Sequence, residues 1–179
     1  MTQGIPATDC PLTQARLQEL LHYDPETGIF TWRTTEHTGK NKAFVLHSKG
    51  DIAGSIIGHK YLRVTVEGVR YYCHRLAWFY MTAKWPHPEV DHENGNGADN
   101  RWTNLREATR RKNAQNLRSA RADSASGILG VSWDDSRSQW VARIKVGGAY
   151  KFLGRFDSAE AAEQAYLKKK RAEHDGCTI

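Results

Sequence analysis

Cysteine is scarce in this 179-residue chain: Cys10, Cys73 and Cys177 are odd in number and far apart. That excludes a disulfide framework and a paired zinc knuckle, and it points to a reducing compartment. No apolar run approaches the roughly 18 residues that a membrane helix needs, so a soluble, cytoplasmic chain with no membrane partner is expected. A charged-then-apolar leader is also missing, and residues 1–11 read as a short flexible tail rather than a signal peptide, which argues against secretion.

What is present sets the next limits. A hydrophobic share of 39% with six tryptophans is enough to build packed cores. The length fits one domain or two small ones at the usual rate of about 100 to 200 residues per domain, and two is the preferred reading. A net charge of +6 and a pI of 9.3 favour an anionic partner, and the distribution sharpens this. Between Arg106 and Arg121 six basic residues face one acid, Glu107. Arg110, Arg111, Lys112 and Arg118 in this run are the candidates for phosphate contact. If about six cations met phosphates, affinity would fall roughly 10³-fold between 50 and 200 mM salt.

Patterning implies an α+β chain. Thr13 caps a helix carrying Leu17, Leu20 and Leu21 on one face and ending at the turn Asp24-Pro25-Glu26-Thr27-Gly28. Ile29 to Arg33 is a short strand, and Tyr61 to Val66 with Val69 to Cys73 form a hairpin around Glu67-Gly68. The polar stretch from Thr34 to Asp51 reads as an exposed loop able to touch DNA. His74 to Ala83 is a buried apolar helix. Glu89 to His92 and Leu105 to Ala108 are strands flanking an Asn-Gly loop, and Thr109 caps a helix from Arg110 to about Arg121 with Ala114 and Leu117 inward.

The chemistry sits in this strand, loop, strand, helix stretch. Phosphodiester hydrolysis demands charge neutralisation at an anionic phosphorus and a deprotonated water at neutral pH. A divalent cation on hard oxygen ligands supplies the first, and an imidazole with a pKa near ~6.5 the second. Asp91 and His92 offer that pair. Asn113 lies on the first turn of the following helix, where its carboxamide can face Asp91. Asn104, at the far end of the loop, can tie loop carbonyls and amides together.

Asp91-His92, Asn104 and Asn113 resemble the HNH endonuclease signature in its ββα-metal form, found in phage and intron-encoded homing endonucleases. Leu20 to Arg33 and His74-Arg75-Leu76-Ala77-Trp78 resemble phage-type members as well, so the similarity spans roughly Leu12 to Arg121. The resemblance implies that His92 is the general base, that Asp91 and Asn113 bind one divalent ion, and that Asn104 supports the loop. It also implies products with 5′-phosphate and 3′-hydroxyl ends. Asn113 stands where many members have histidine, and Asn94 where an acid is common. A neutral oxygen ligand favours Mg²⁺ or Mn²⁺, one ion per site, over zinc or nickel.

Beyond a polar linker at 122–127, Gly130 to Trp133, Gln139 to Lys145 and Phe152 to Phe156 read as three strands. Asp157-Ser158-Ala159-Glu160 caps a helix to about His174. Alternation puts Trp140, Ala142 and Ile144 against Ala161, Ala162, Ala165 and Tyr166, leaving Val141, Arg143 and Lys145 on an open face. Residues 128–179 resemble the APETALA/ethylene-response-factor DNA-binding domain, a three-stranded antiparallel sheet packed on one helix. The resemblance implies that Ser132, Trp133, Arg143, Lys145, Tyr150 and Phe152 face DNA, with Ser132 where that family usually has arginine and Phe152 where it has tryptophan.

The expected organisation is therefore a tail (1–11), an HNH nuclease domain (12–121, its ββα-metal motif at 89–121, with a small N-terminal sheet), a linker (122–127) and the C-terminal domain (128–179). The expected activity is metal-dependent cleavage of double-stranded DNA by a monomer or weak dimer of phage or homing type. A less selective phage or restriction-type nuclease is the nearest alternative, and a catalytically inactive DNA-binding regulator the competing class. Plainer readings hold elsewhere. His74 is a buried hydrogen-bonding residue, His22, His37, His47, His59, His87 and His174 face solvent, and Lys168-Lys169-Lys170-Arg171 is a solvated helix face.

Overall fold

The computed structural model describes residues 12–37, 46–58, 60–121 and 123–178. The expected N-terminal tail, Cys10, His59 and parts of the 34–51 loop and the linker lie outside them. The chain divides into two compact units, Met1–Ala108 and Thr109–Ile179.

In the first unit, α1 (Gln14–Leu20) is capped by Thr13, whose hydroxyl accepts from the Arg16 N–H. The helix stops a turn earlier than its leucine pattern suggests. Leu21 instead opens β1 (Leu21–Asp24), which pairs antiparallel with β2 (Ile29–Trp32), and the ladder takes over the backbone groups that a longer helix would use. The short strands β3 (Glu36–His37) and β4 (Leu46–His47) pair within the region expected to be loop. β5 (Ile52–Ala53) adds to β2. β6 (Ser55–Ile57), β7 (Tyr61–Val66) and β8 (Val69–Tyr72) form a second sheet, with the β7–β8 turn at Glu67 (φ 49°) and Gly68 (φ 80°). Two successive positive φ values are the hairpin geometry that matches strand twist. α2 (Cys73–Thr82) follows directly and buries Cys73, His74, Leu76, Ala77 and Phe79. Leu17, Leu20, Leu21, Tyr23, Phe30, Trp32, Val64, Val66 and Leu76 form the core.

The unit ends in a two-stranded ladder, β9 (Glu89–His92) against β10 (Leu105–Ala108), joined through a one-turn 3-10 helix at Trp102–Asn104. Val90, Leu105 and Ala108 are buried and anchor this hairpin. Its register sets Leu105 opposite His92 and Arg106 opposite Asp91.

In the second unit, α3 (Arg110–Gln115) starts at the Thr109 cap, whose hydroxyl accepts from the Lys112 N–H. It is six residues long instead of reaching Arg121, and its buried residues are Gln115 and the following Asn116, with Ala114 and Leu117 exposed. The reason is tertiary. Gly176 N–H donates to Gln115 Oε1 (3.3 Å), Thr178 Oγ1 donates to Asn116 Oδ1 (2.6 Å), Arg118 donates to Thr178, and Lys170 Nζ donates to the Leu117 carbonyl. The Lys170 bond takes a backbone carbonyl that a longer helix would use, and the side-chain bonds of Gln115, Asn116 and Arg118 hold the segment against the C-terminal residues. They also explain why the compact units part after Ala108, ahead of the linker read from the sequence. Lys170 is consequently buried, at 1% exposure, rather than part of a solvated face.

β11 (Val131–Asp134), β12 (Gln139–Val146) and β13 (Ala149–Phe156) make an antiparallel sheet with β12 central. Ser158 is the N-cap of α4 (Ala159–Glu173), accepting from the Ala161 N–H. Val131, Ala142, Ile144, Ala162 and Tyr166 form this unit's core, so Ala142 and Ile144 do face the helix. Val141 departs from the expected alternation. It is buried, because it lies in the central strand between Ser132 and Arg155 and the ladder slips by one residue at Ala142/Arg143.

Candidate active site

Asp91 and His92 close β9 at the mouth of a twelve-residue connection to β10, and both are buried at 5% exposure. Buried polar groups must be hydrogen-bonded, and the loop supplies the partners. Asn94 N–H donates to Asn104 Oδ1 (2.9 Å), Asn104 Nδ2 donates to the Asp99 carbonyl (2.7 Å), and Glu93 N–H donates to the Asn104 carbonyl (2.9 Å). Asn94 Nδ2 donates to Asp99 Oδ2 (2.7 Å). The Arg101 guanidinium beside it holds the Asp99 carboxyl down to about 2. Asn104 thus bridges both ends of the loop, directly behind His92.

The loop is also pinned to the β1–β2 turn. Tyr23 hydroxyl donates to the Asn100 carbonyl (2.7 Å) and Trp102 N–H to the Pro25 carbonyl (2.9 Å). Gly28, at φ +73°, allows the approach: a Cβ there would stand 2.3 Å from the Asn100 carbonyl carbon.

His92 Nε2 lies 3.0 Å from Asn100 Oδ1. An amide oxygen only accepts, so in the neutral ring Nε2 carries the hydrogen and Nδ1 the lone pair. Burial lowers the His92 pKa, and the Asn100 bond and the Asp91 and Asp99 charges oppose that shift. His74 packs edge-on against His92, with ring centroids 5.0 Å apart, and stacks on Tyr72 at 5.4 Å. Tyr61 approaches both histidines, at 5.5 and 6.0 Å. Burial pushes His74 down to about 3, and its Nδ1 has no hydrogen-bond partner among the described residues. His74 is therefore buried as expected but contributes a neutral wall to the site.

Residues 71–115 match the HNH endonuclease family model.

No curated protein and no solved structure matches the chain. The matched segment carries Asp91, His92, Asn104 and Asn113, and the match supports a nuclease function in general. Asp91, His92 and Asn104 stand together in the first unit, whereas Asn113 sits on α3 in the second.

Among the described residues no group of three or more His, Cys, Asp or Glu side chains forms a metal cage. Asp91 nevertheless already holds a cation: Arg106 Nη2 and Nε both donate to its Oδ2, at 2.8 and 3.1 Å. A buried carboxylate compensated by a positive charge fits a hard divalent ion in its donor chemistry.

The other expected contacts lie in the second unit. Arg110, Arg111 and Lys112 are exposed, and Lys112 Nζ is 3.7 Å from Asp175. Arg118 is partly committed to Thr178. On the sheet, Arg143 is paired in register with Phe152 and Lys145 with Tyr150. Tyr150 is 74% and Phe152 53% exposed, and Lys145 Nζ sits 5.7 Å from the Tyr150 ring. Among the residues expected to face solvent, His47 stacks on Trp32 and His174 Nε2 lies 2.9 Å from the Lys145 carbonyl.

Sequence reasoning missed Asn100 as the partner of His92, and Arg106 as the partner of Asp91. The second was recoverable: two four-residue strands at 89–92 and 105–108, paired end to end, set 106 opposite 91.

Proposed function

We propose that the chain is a metal-dependent DNA endonuclease of the phage or intron homing type. The observation that carries this reading is the buried Asp91-His92 pair, braced by Asn100, Asn104 and Arg106 inside the stretch that matches the HNH endonuclease model.

In this reading His92 is the general base. Its lowered pKa keeps the ring neutral at pH 7, and the Asn100 bond at Nε2 leaves Nδ1 to take the water's proton. The acidic limb of the pH–rate profile should accordingly lie below the ordinary imidazole value. Asn104 holds the loop, so the ring keeps its aim. Asp91 and Asn113 would hold one Mg²⁺ or Mn²⁺ through a carboxylate and an amide oxygen. A bound divalent ion supplies the Lewis acid at the phosphate and stabilises the departing oxygen. Residues 12–121 form the nuclease domain and 128–179 an APETALA/ethylene-response-factor-like tether. In that tether Arg143 and Lys145 meet phosphates or guanine edges, and Tyr150 and Phe152 pack against the duplex. Arg110, Arg111, Lys112 and Arg118 add backbone contacts. The protein would act in the cytoplasm of a bacterial or phage-infected cell as a monomer or weak dimer.

One observation favours a second reading. The Arg106 guanidinium on Asp91 Oδ2 suits an inactive DNA-binding regulator that keeps the fold without the ion. Incubation with supercoiled plasmid separates the two. An enzyme relaxes or linearises the plasmid with Mg²⁺ and not with EDTA, whereas a regulator shifts the DNA in a gel and leaves it intact. Mapping ends on a large DNA then distinguishes one dominant break, expected of a homing enzyme, from the scattered breaks of a less selective nuclease.

A further inference from the structure

We infer that Arg106 is a placeholder cation that couples DNA binding to ion binding at Asp91: it covers the carboxylate in the DNA-free protein and transfers to a backbone phosphate when DNA arrives. The inference rests on the proposed role of Asp91 as an ion ligand.

The geometry points this way in three respects. First, the register holds Arg106 directly across the ladder from Asp91, so the contact is built into the strand pairing. Second, two donors of the guanidinium, Nη2 at 2.8 Å and Nε at 3.1 Å, meet on the single oxygen Oδ2. A phosphate offers the same edge of the guanidinium a fork of two oxygens in place of one. Third, the side chain spans from a buried end to an open one. Asp91's side chain is 6% exposed and that of Arg106 26%, while Arg106 Nη1 reaches to 3.7 Å from Glu93 Oε1, whose side chain is 51% exposed. A guanidinium anchored inside and reaching outward can exchange a carboxylate for a phosphate by rotating its own side chain, without moving the strand.

The electrostatics give this exchange a direction. A guanidinium and a divalent ion cannot share one carboxylate oxygen without strong repulsion at contact distance. A phosphate that draws Arg106 away therefore opens Asp91 to the ion, and by linkage the ion must favour phosphate engagement by the same factor. Metal would then load with DNA and not before it.

Mn²⁺ binding to the full chain tests this without turnover, using His92→Ala as the background to prevent cleavage and a short duplex as the DNA, with the duplex alone as blank. In that background DNA should raise Mn²⁺ affinity by about tenfold, well inside the usual range of coupling between sites. Adding Arg106→Gln should raise the DNA-free affinity by about tenfold and leave DNA less than about twofold further effect. Arg106→Lys, which keeps the charge and the fold but not the planar fork, should match the native side chain without DNA. Unchanged or weaker DNA-free Mn²⁺ binding in Arg106→Gln overturns the inference, as does undiminished coupling to DNA. Asp91→Ala separates this failure from that of the underlying reading: if Mn²⁺ binding survives it, Asp91 is no ion ligand and both fall.

Discussion

The loop between β9 and β10 and the open face of β12–β13 are both rich in polar groups, but in opposite ways. Around His92 the polar side chains are buried or half-buried and tied to named partners, Asn100 Oδ1 to the imidazole, Asn104 to the Asn94 N–H and the Asp99 carbonyl, and Arg106 to Asp91. On the sheet, Arg143, Lys145, Tyr150 and Phe152 stand exposed on the strands β12 and β13. Cleaving a bond needs atoms held to fractions of an ångström, which burial and hydrogen bonding enforce. Capturing a charged polymer needs accessible charge and stacking area, which burial would remove. The contrast predicts that changes in the loop act on stability and reaction together, and changes on the sheet act on binding alone.

His74 should show the largest effect. Its folded pKa of about 3 lies below the ordinary 6.5, so the unfolded chain binds the extra proton between those values. Stability is then fully present above about pH 6.5 and is lost as pH falls, by roughly 2 to 3 kcal/mol over two pH units. Urea unfolding at pH 6.5 and 4.5 measures it. His74→Gln should be the flatter of the two proteins, and equal slopes would mean His74 titrates normally and the wall of the site is open to water.

Asn104→Ala comes next. It strands the Asn94 N–H and the Asp99 carbonyl, at about 1 to 3 kcal/mol for unsatisfied groups. Asn104→Asp keeps the acceptor for the Asn94 N–H but sets a carboxylate oxygen against the Asp99 carbonyl, and should lose at least as much. Thermal unfolding followed alongside plasmid nicking should show both falling together, and a stable but inactive Asn104→Ala would assign this residue to chemistry instead of loop support.

The smallest effect belongs to the sheet. Arg143→Ala and Lys145→Ala should each lower the salt slope of DNA binding by about 1 and change stability by less than about 0.5 kcal/mol. Anisotropy titrations at several salt concentrations read the slope. Slopes equal to that of the unaltered chain would place the DNA on another surface.

The comparison also explains what the sequence made legible. β9, β10, the Thr109 cap and the β7–β8 turn are local features, written in alternation, capping hydroxyls and a Glu-Gly pair, and they stand where the pattern set them. Motif spacing singles out Asp91, His92 and Asn104 in the sequence, and the structure sets them together at the two ends of the β9–β10 loop. What escaped was decided by partners distant in the chain. α1 yields Leu21 to a ladder with Trp32, α3 stops where residues 170–178 bond the Gln115 side chain and the Leu117 carbonyl, and Lys170 is buried by that same contact. Asn100 was invisible for the same reason: its side chain matters because Tyr23, 77 positions away, fixes its backbone.

The central claim is that a buried imidazole beside the Asp91 carboxylate performs the cleavage, and the direct measurement is plasmid nicking by His92→Ala in Mg²⁺, with gel-shift binding run on the same protein. The account predicts a rate lower by roughly 10²- to 10⁴-fold with DNA binding retained. Nicking at the rate of the unaltered chain would contradict it.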